Sequence, residues 1–118
     1  MEVRYLETAE LGVRWFRLYY RQNPQLNVEK AFAVLVRTEA MLREFPHSGT
    51  PYEDFDRVRE QRIQGTPFSL LYTIARQTVW IIDLRDQRGR RSAEALRQHG
   101  RELRRRYGIG DDSTDDMT

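Results

Sequence analysis

Residues 45–91, FPHSGTPYEDFDRVREQRIQGTPFSLLYTIARQTVWIIDLRDQRGRR, decide the fold. Two apolar, β-branched runs, 68–75 and 78–84, are joined only by Arg76 and Gln77, too tightly for a helix to intervene, so they predict an antiparallel pair. In the first run Phe68, Leu70, Tyr72 and Ile74 share one face, and Ser69, Leu71, Thr73 and Ala75 the other. In the second, Val79, Ile81 and Asp83 alternate with Trp80, Ile82 and Leu84. The connecting turn lacks the Asn-Gly pair of the tightest hairpins. Before them, 57–64 reads RVREQRIQ, with only Val58 and Ile63 apolar, the pattern of an edge strand or of a strand carrying a site. A turn cluster, PHSGTP at 46–51, separates this region from what precedes it.

Upstream, 2–7 (EVRYLE) alternates as a short half-buried strand. Thr8 is placed to cap a helix reaching Gln22, with Leu11, Trp15, Leu18 and Tyr19 as its apolar face and Asn23-Pro24 as its end. Asn27 is placed to cap a second helix, in which Ala31, Phe32, Leu35, Thr38, Glu39, Leu42 and Phe45 follow a helical repeat. Val34, Val36 and Met41 widen that apolar face, which makes either a fuller core or a docking face for a partner helix. The two helices are expected to form an antiparallel hairpin. Downstream, 85–91 is a basic loop, and Ser92 is placed to cap a last helix with Ala93, Leu96, Gly100, Leu103 and Tyr107 as its stripe. Gly100 costs that helix ~1 kcal/mol relative to alanine, and Gly108 ends it. Residues 109–118 are expected to be a disordered acidic tail, leaving 1–108 as a single domain.

A chain of 118 residues supports one core of modest size. Hydrophobic residues make up 39% and charged ones 32%, polar for a globular protein but far from a disordered composition. The absence of cysteine excludes disulfides, zinc-thiolate sites and thiol nucleophiles and is compatible with a reducing compartment. Without a basic-then-apolar leader or an apolar run near the ~20 residues of a membrane span, the expected location is cytoplasmic, with no membrane partner. The net charge of +2 conceals an asymmetry, because four aspartates fall in the last eleven residues and leave +6 on residues 1–107. Nineteen of the twenty bases are arginine, the side chain that forks onto phosphates and carboxylates; a compositional bias of the genome would give the same count.

RNA cleavage through the 2′-hydroxyl needs a base, donors for the pentacovalent phosphate and an acid for the leaving oxygen. Arginine suits the second task, and Arg57, Arg59, Arg62, Arg85 and Arg88 are the residues available to ring a phosphate. Periodicity sets Arg57 and Arg59 on one side and Arg62 on the other, so one cluster needs a bulge or a loop. Glu60 or Asp83 is the candidate base and Tyr72 the candidate acid. His47 and His99 read as ordinary polar residues, and Trp15, Trp80, Tyr5 and Tyr72 as core. Residues 85–106 hold nine arginines against three acids. Among them Arg85, Arg88, Arg90, Arg91, Arg97, Arg101, Arg104 and Arg105 form a candidate surface for nucleic acid or an acidic partner. No metal-ligand spacing and no glycine-rich phosphate loop occurs, so no metal and no cofactor is expected.

Several of these residues together resemble the RelE/ParE superfamily of bacterial toxins from type II toxin–antitoxin pairs. They are Met41-Leu42, Phe45-Pro46, Gly49 and Pro51 after the helices, then Val58-Arg59, Pro67-Phe68, Leu70-Leu71-Tyr72 and the apolar run 79–84. The resemblance implies an α+β domain: a small twisted, mainly antiparallel sheet against an N-terminal helical hairpin, here with a C-terminal basic helix. It also implies a toxin neutralised by a cognate antitoxin in a hetero-oligomer. One branch inhibits DNA gyrase by binding; the other is a metal-independent endoribonuclease cutting mRNA on the ribosome. At 84–88 the nuclease branch commonly has histidine followed by arginines, whereas this chain has Leu-Arg-Asp-Gln-Arg with no nearby tyrosine, which favours the gyrase branch. A binding module of the same fold without toxicity is the third reading.

Overall fold

The computed structural model describes residues 1–53, 55–89 and 92–108. In chain order these form β1 (Glu2–Tyr5), a 3-10 turn (Glu7–Ala9), α1 (Glu10–Gln22), α2 (Val28–Glu44), β2 (Thr50–Pro51), β3 (Arg59–Arg62), β4 (Phe68–Ala75), β5 (Thr78–Asp86) and α3 (Ala93–Tyr107). The architecture is α+β, with one five-stranded sheet in the order β1-β5-β4-β3-β2. β1 runs parallel to β5 and the remaining neighbours are antiparallel. The expected tail, 109–118, lies outside the described residues.

The 68–75 and 78–84 runs pair as the sequence predicts, through Arg76 and Gln77, which both take positive φ (49° and 61°). Strict alternation fails at one place. The register shifts between Leu71 and Tyr72, so that Leu71 faces Asp83 while Tyr72 faces Ile81, leaving Ile82 as the extra residue of a bulge. The strand therefore changes phase. Leu84 joins Val79 and Ile81 on the first face, and Asp83 is paired with Leu71 of the second, reversing the expectation for these two positions.

The first face carries the larger core, in which Phe68, Leu70, Tyr72 and Ile74 meet Phe16 and Tyr20 of α1 and Ala31 and Leu42 of α2. The second face carries Leu71, Ala75, Trp80 and Ile82, covered by Ala95, Leu96 and Leu103 of α3. The sheet is thus sandwiched at its β1–β5 side.

Helix α1 buries Gly12, Phe16 and Tyr20; of the expected Leu11–Trp15–Leu18–Tyr19 stripe, Trp15 and Tyr19 pack part-buried against the core, while Leu11 is 60% exposed. Thr8 causes the shift. Its hydroxyl donates to the Ile82 carbonyl (2.8 Å) from inside the 3-10 turn instead of capping α1, whose N-cap, Ala9, makes no side-chain bond. The chain therefore enters α1 with a different phase. Gly12 fits that phase, because a Cβ there would meet the Leu84 backbone at 2.8 Å; only glycine lets α1 lie this close to β5. Helix α2 starts as expected, with the Asn27 side chain accepting from the Lys30 N–H (3.0 Å). Ser92 precedes α3 but does not cap it, since ψ of 28° departs from the extended geometry a capping hydroxyl requires. Gly108, at φ 65°, closes α3 through its N–H.

Candidate functional site

The hydrogen bonds of the 46–51 turn fix two of the candidate catalytic residues. The Tyr72 hydroxyl, on the first face, donates to the Pro46 carbonyl (2.7 Å) and accepts from the Gly49 N–H (3.0 Å). Arg59, opposite Tyr72 in the register, donates to the Gly49 carbonyl (2.6 Å) and the His47 carbonyl (3.3 Å). Burial raises the Tyr72 phenol above its ordinary value, against the opposing pull of Gly49 and Arg59. Both side chains are committed to holding the turn.

The second face holds a different group. Arg62 pairs with Ser69, and Ser69 with Arg85, so the three stand in one row across β3, β4 and β5. Glu60 sits beside them, accepting from the Ser69 hydroxyl (2.5 Å) and from Arg85 Nη1 (2.9 Å). The pair is largely sequestered, with side chains 16% and 20% exposed. Arg85 also stacks over Tyr52 at 5.6 Å, and its Nε is buried without a hydrogen-bond partner. Arg62 is exposed at the strand end.

Arg57 lies outside the strand, at φ 64°, in a loop contact with Asp56 (3.9 Å). Arg88 falls on the α1 side, gripping Asp86 through Nε (3.1 Å) and Nη2 (3.0 Å) and lying 4.3 Å over the Tyr19 ring. Burial alone would raise the Asp86 carboxyl, but hydrogen bonds from Arg88 and Trp15 (2.8 Å) overcome it and hold the group below its ordinary range. The five arginines and Tyr72 are therefore divided between two faces and a loop. No single ring around a phosphate forms. Asp83 is fully buried and receives the Leu84 N–H (2.9 Å).

Of the α3 arginines, Arg97 pairs with Glu94, and Arg104 is half-buried. Arg101 and Arg105 are exposed, with no partner among the described residues. Arg90 and Arg91 lie outside the described residues. His99 is held by the Leu96 carbonyl (2.6 Å); burial pushes its imidazole below the ordinary value, partly offset by the carbonyls of Leu96 and Ala95.

Two features escaped the sequence reading. Trp80 lies between two guanidinium groups, Arg4 at 5.3 Å and Arg106 at 5.2 Å, while Arg76 stacks on Tyr107 at 4.7 Å. Indole and phenol are tied together, since Trp80 Nε1 donates to the Tyr107 hydroxyl (2.8 Å). No spacing rule joins residues 4, 80 and 106. The second is a groove of about 580 Å³ between α1 and α2, floored by Tyr5, Val13, Phe16, Phe32 and Leu35 and rimmed by Arg14 and Arg17. The residues that widen the apolar face of α2 in the sequence, Val34, Val36 and Met41, do not line it; of α2 only Phe32, 37% exposed, and Leu35 do. Among the described residues no cluster of His, Cys, Asp or Glu is placed to hold a metal ion, and no helix is long and apolar enough to cross a membrane. Comparison with protein-family models, curated proteins and solved structures finds no match.

Proposed function

We propose that this chain is the toxin of a type II toxin–antitoxin pair, inhibiting growth by gripping an essential target, with DNA gyrase ahead of the ribosome. The observation carrying this reading is the state of Arg85, near the end of β5 opposite Ser69. It is half-neutralised by Glu60 and hydrogen-bonded away from solvent. A phosphate-stabilising arginine must be free to meet developing charge, and no base or acid stands beside it in usable form, since Glu60 is spent on Arg85 and Ser69 and Tyr72 lies on the opposite face. Arg101 and Arg105, exposed and with no partner among the described residues, suit an anionic partner surface. The α1–α2 groove suits the amphipathic segment of a neutralising antitoxin, as its apolar lining leaves Phe32 37% exposed and Tyr5, Val13 and Leu35 part-exposed.

The second reading, a ribosome-dependent mRNA endonuclease, draws on the Arg62–Ser69–Arg85 row, which puts two guanidinium groups on one sheet face. Induced expression of the chain alone separates the two. Gyrase poisoning gives DNA-damage signalling and inhibited supercoiling by purified gyrase; the nuclease gives codon-positioned mRNA cuts. Growth arrest with mRNA cuts that vanish in Arg85→Ala would overturn the gripping mechanism, and absence of arrest would overturn the toxin assignment.

A further inference from the structure

A second, smaller cleft lies at the other end of the helical layer, where the α1–α2 connection meets the β3–β4 turn. Its volume is about 240 Å³, and Tyr19, Tyr20, Leu26, Lys30 and the 64–67 turn line it. That is below the ~300 Å³ at which sites for drug-sized molecules begin, and suits one flat ring. Tyr19 and Tyr20 meet edge to face, with centroids 5.0 Å apart at 84°, so their rings form a corner rather than a flat wall. The Tyr20 ring is largely buried, while its hydroxyl, with no hydrogen-bond partner among the described residues, is open to solvent rather than sealed in the core. At the mouth, the Gln64 carboxamide, which offers both a donor and an acceptor, is exposed and likewise unpartnered.

The electrostatics point the same way. The cleft lining contains no carboxylate and one cation, Lys30, the only lysine of the chain, whose ammonium makes no ion pair among the described residues. An aromatic corner, a solvent-accessible hydroxyl, a two-way amide and an ammonium with no acid beside it among the described residues are the complement of a heteroaromatic ring with hydrogen-bonding edges and an attached anion.

We infer that this cleft binds a nucleotide unit, the base against Tyr19 and Tyr20 with its polar edge at the Tyr20 hydroxyl and Gln64, and the phosphate at Lys30. The unit comes either from a free nucleotide or from a single-stranded nucleic acid. The inference goes beyond the toxin reading and does not depend on it, since the cleft lining includes neither Arg85 nor any α3 arginine.

The test uses the full isotope-labelled chain titrated with AMP, UMP, a short oligo(U) RNA and a short oligo(dT) DNA, followed by backbone amide shifts. Saturable shifts confined to residues 19–31 and 64–67 are expected. Saturation by a mononucleotide alone identifies the free source; shifts with the oligonucleotides only identify the strand. Lys30→Glu, on an exposed first turn where a carboxylate favours the helix dipole, should weaken binding about tenfold. Tyr20→Phe, which keeps the ring, should weaken it roughly threefold. Thermal unfolding of both variants reports their folding. Shifts limited to the α3 arginines, or folded variants that bind like the wild type, would overturn the site.

Discussion

Tyr72 shows how far a residue type is from a role. In the sequence it is the candidate acid for a cluster of arginines; in the structure its hydroxyl makes two of the hydrogen bonds that hold the 46–49 turn. Tyr72→Phe removes them and strands the Gly49 N–H, so the expected outcome is a loss of about 1–3 kcal/mol in chemical denaturation. Any growth arrest should persist, provided the protein is still folded at the growth temperature; a variant that is stable but inactive would return Tyr72 to the chemistry. His99 allows a prediction in pH. Its folded-state pKa is lowered, so the fold binds fewer protons than the unfolded chain below pH ~6.5. The stability this group supports is complete above that value and is lost as pH falls toward and through the depressed folded pKa. His99→Gln should flatten the decline of stability between about pH 7 and pH 5, measured by urea unfolding at each pH.

At the scale of elements, α3 is fastened by side chains that no helical repeat identifies. Buried Glu102 accepts the Glu7 N–H (2.8 Å) and the Thr8 N–H (3.2 Å), capping a turn far away in sequence while pairing with Arg106. Glu102→Gln substitutes an amide donor where donors already converge, and should cost roughly 2 kcal/mol with circular dichroism otherwise native. The elements themselves were legible. The two central strands, both long helices and the last helix all stand where the alternation, the Asn27 cap and Gly108 put them. What was not legible is phase. Thr8 bonding across to Ile82 rotates α1 by a residue, and the bulge at Ile82 moves Leu84 and Asp83 between faces. Both are decided by contacts between segments more than seventy residues apart or by strand pairing, which a local pattern does not contain. The expected stripe of α3 was partly misplaced for the same reason: Ala95 and Glu102 are buried, and Ala93 is exposed.

For the whole molecule, charge is the property that composition announced and geometry refined. Of the arginines expected to form one basic surface, Arg85, Arg88 and Arg97 are paired with acids, whereas Arg101 and Arg105 are exposed with no partner among the described residues. Reversing both, Arg101→Glu with Arg105→Glu, should leave the unfolding midpoint nearly unchanged. It should lower the slope of log affinity against log salt for a polyanion such as duplex DNA by about two. An unaltered slope would remove α3 from the binding surface. The site was less legible than the fold because pairing with Glu60, Asp86 and Glu94 depends on side-chain neighbours, while a sequence counts only the arginines. The parallel pairing of β1 with β5 sets Glu2 beside Thr78 and Tyr5 beside Ile81. During synthesis, then, the first strand emerges long before its one neighbour among the described residues, and the sheet cannot close until the fifth strand has left the ribosome. The strand that starts the fold is therefore among the last to be placed in it, and its pairing waits on a loop of more than seventy residues.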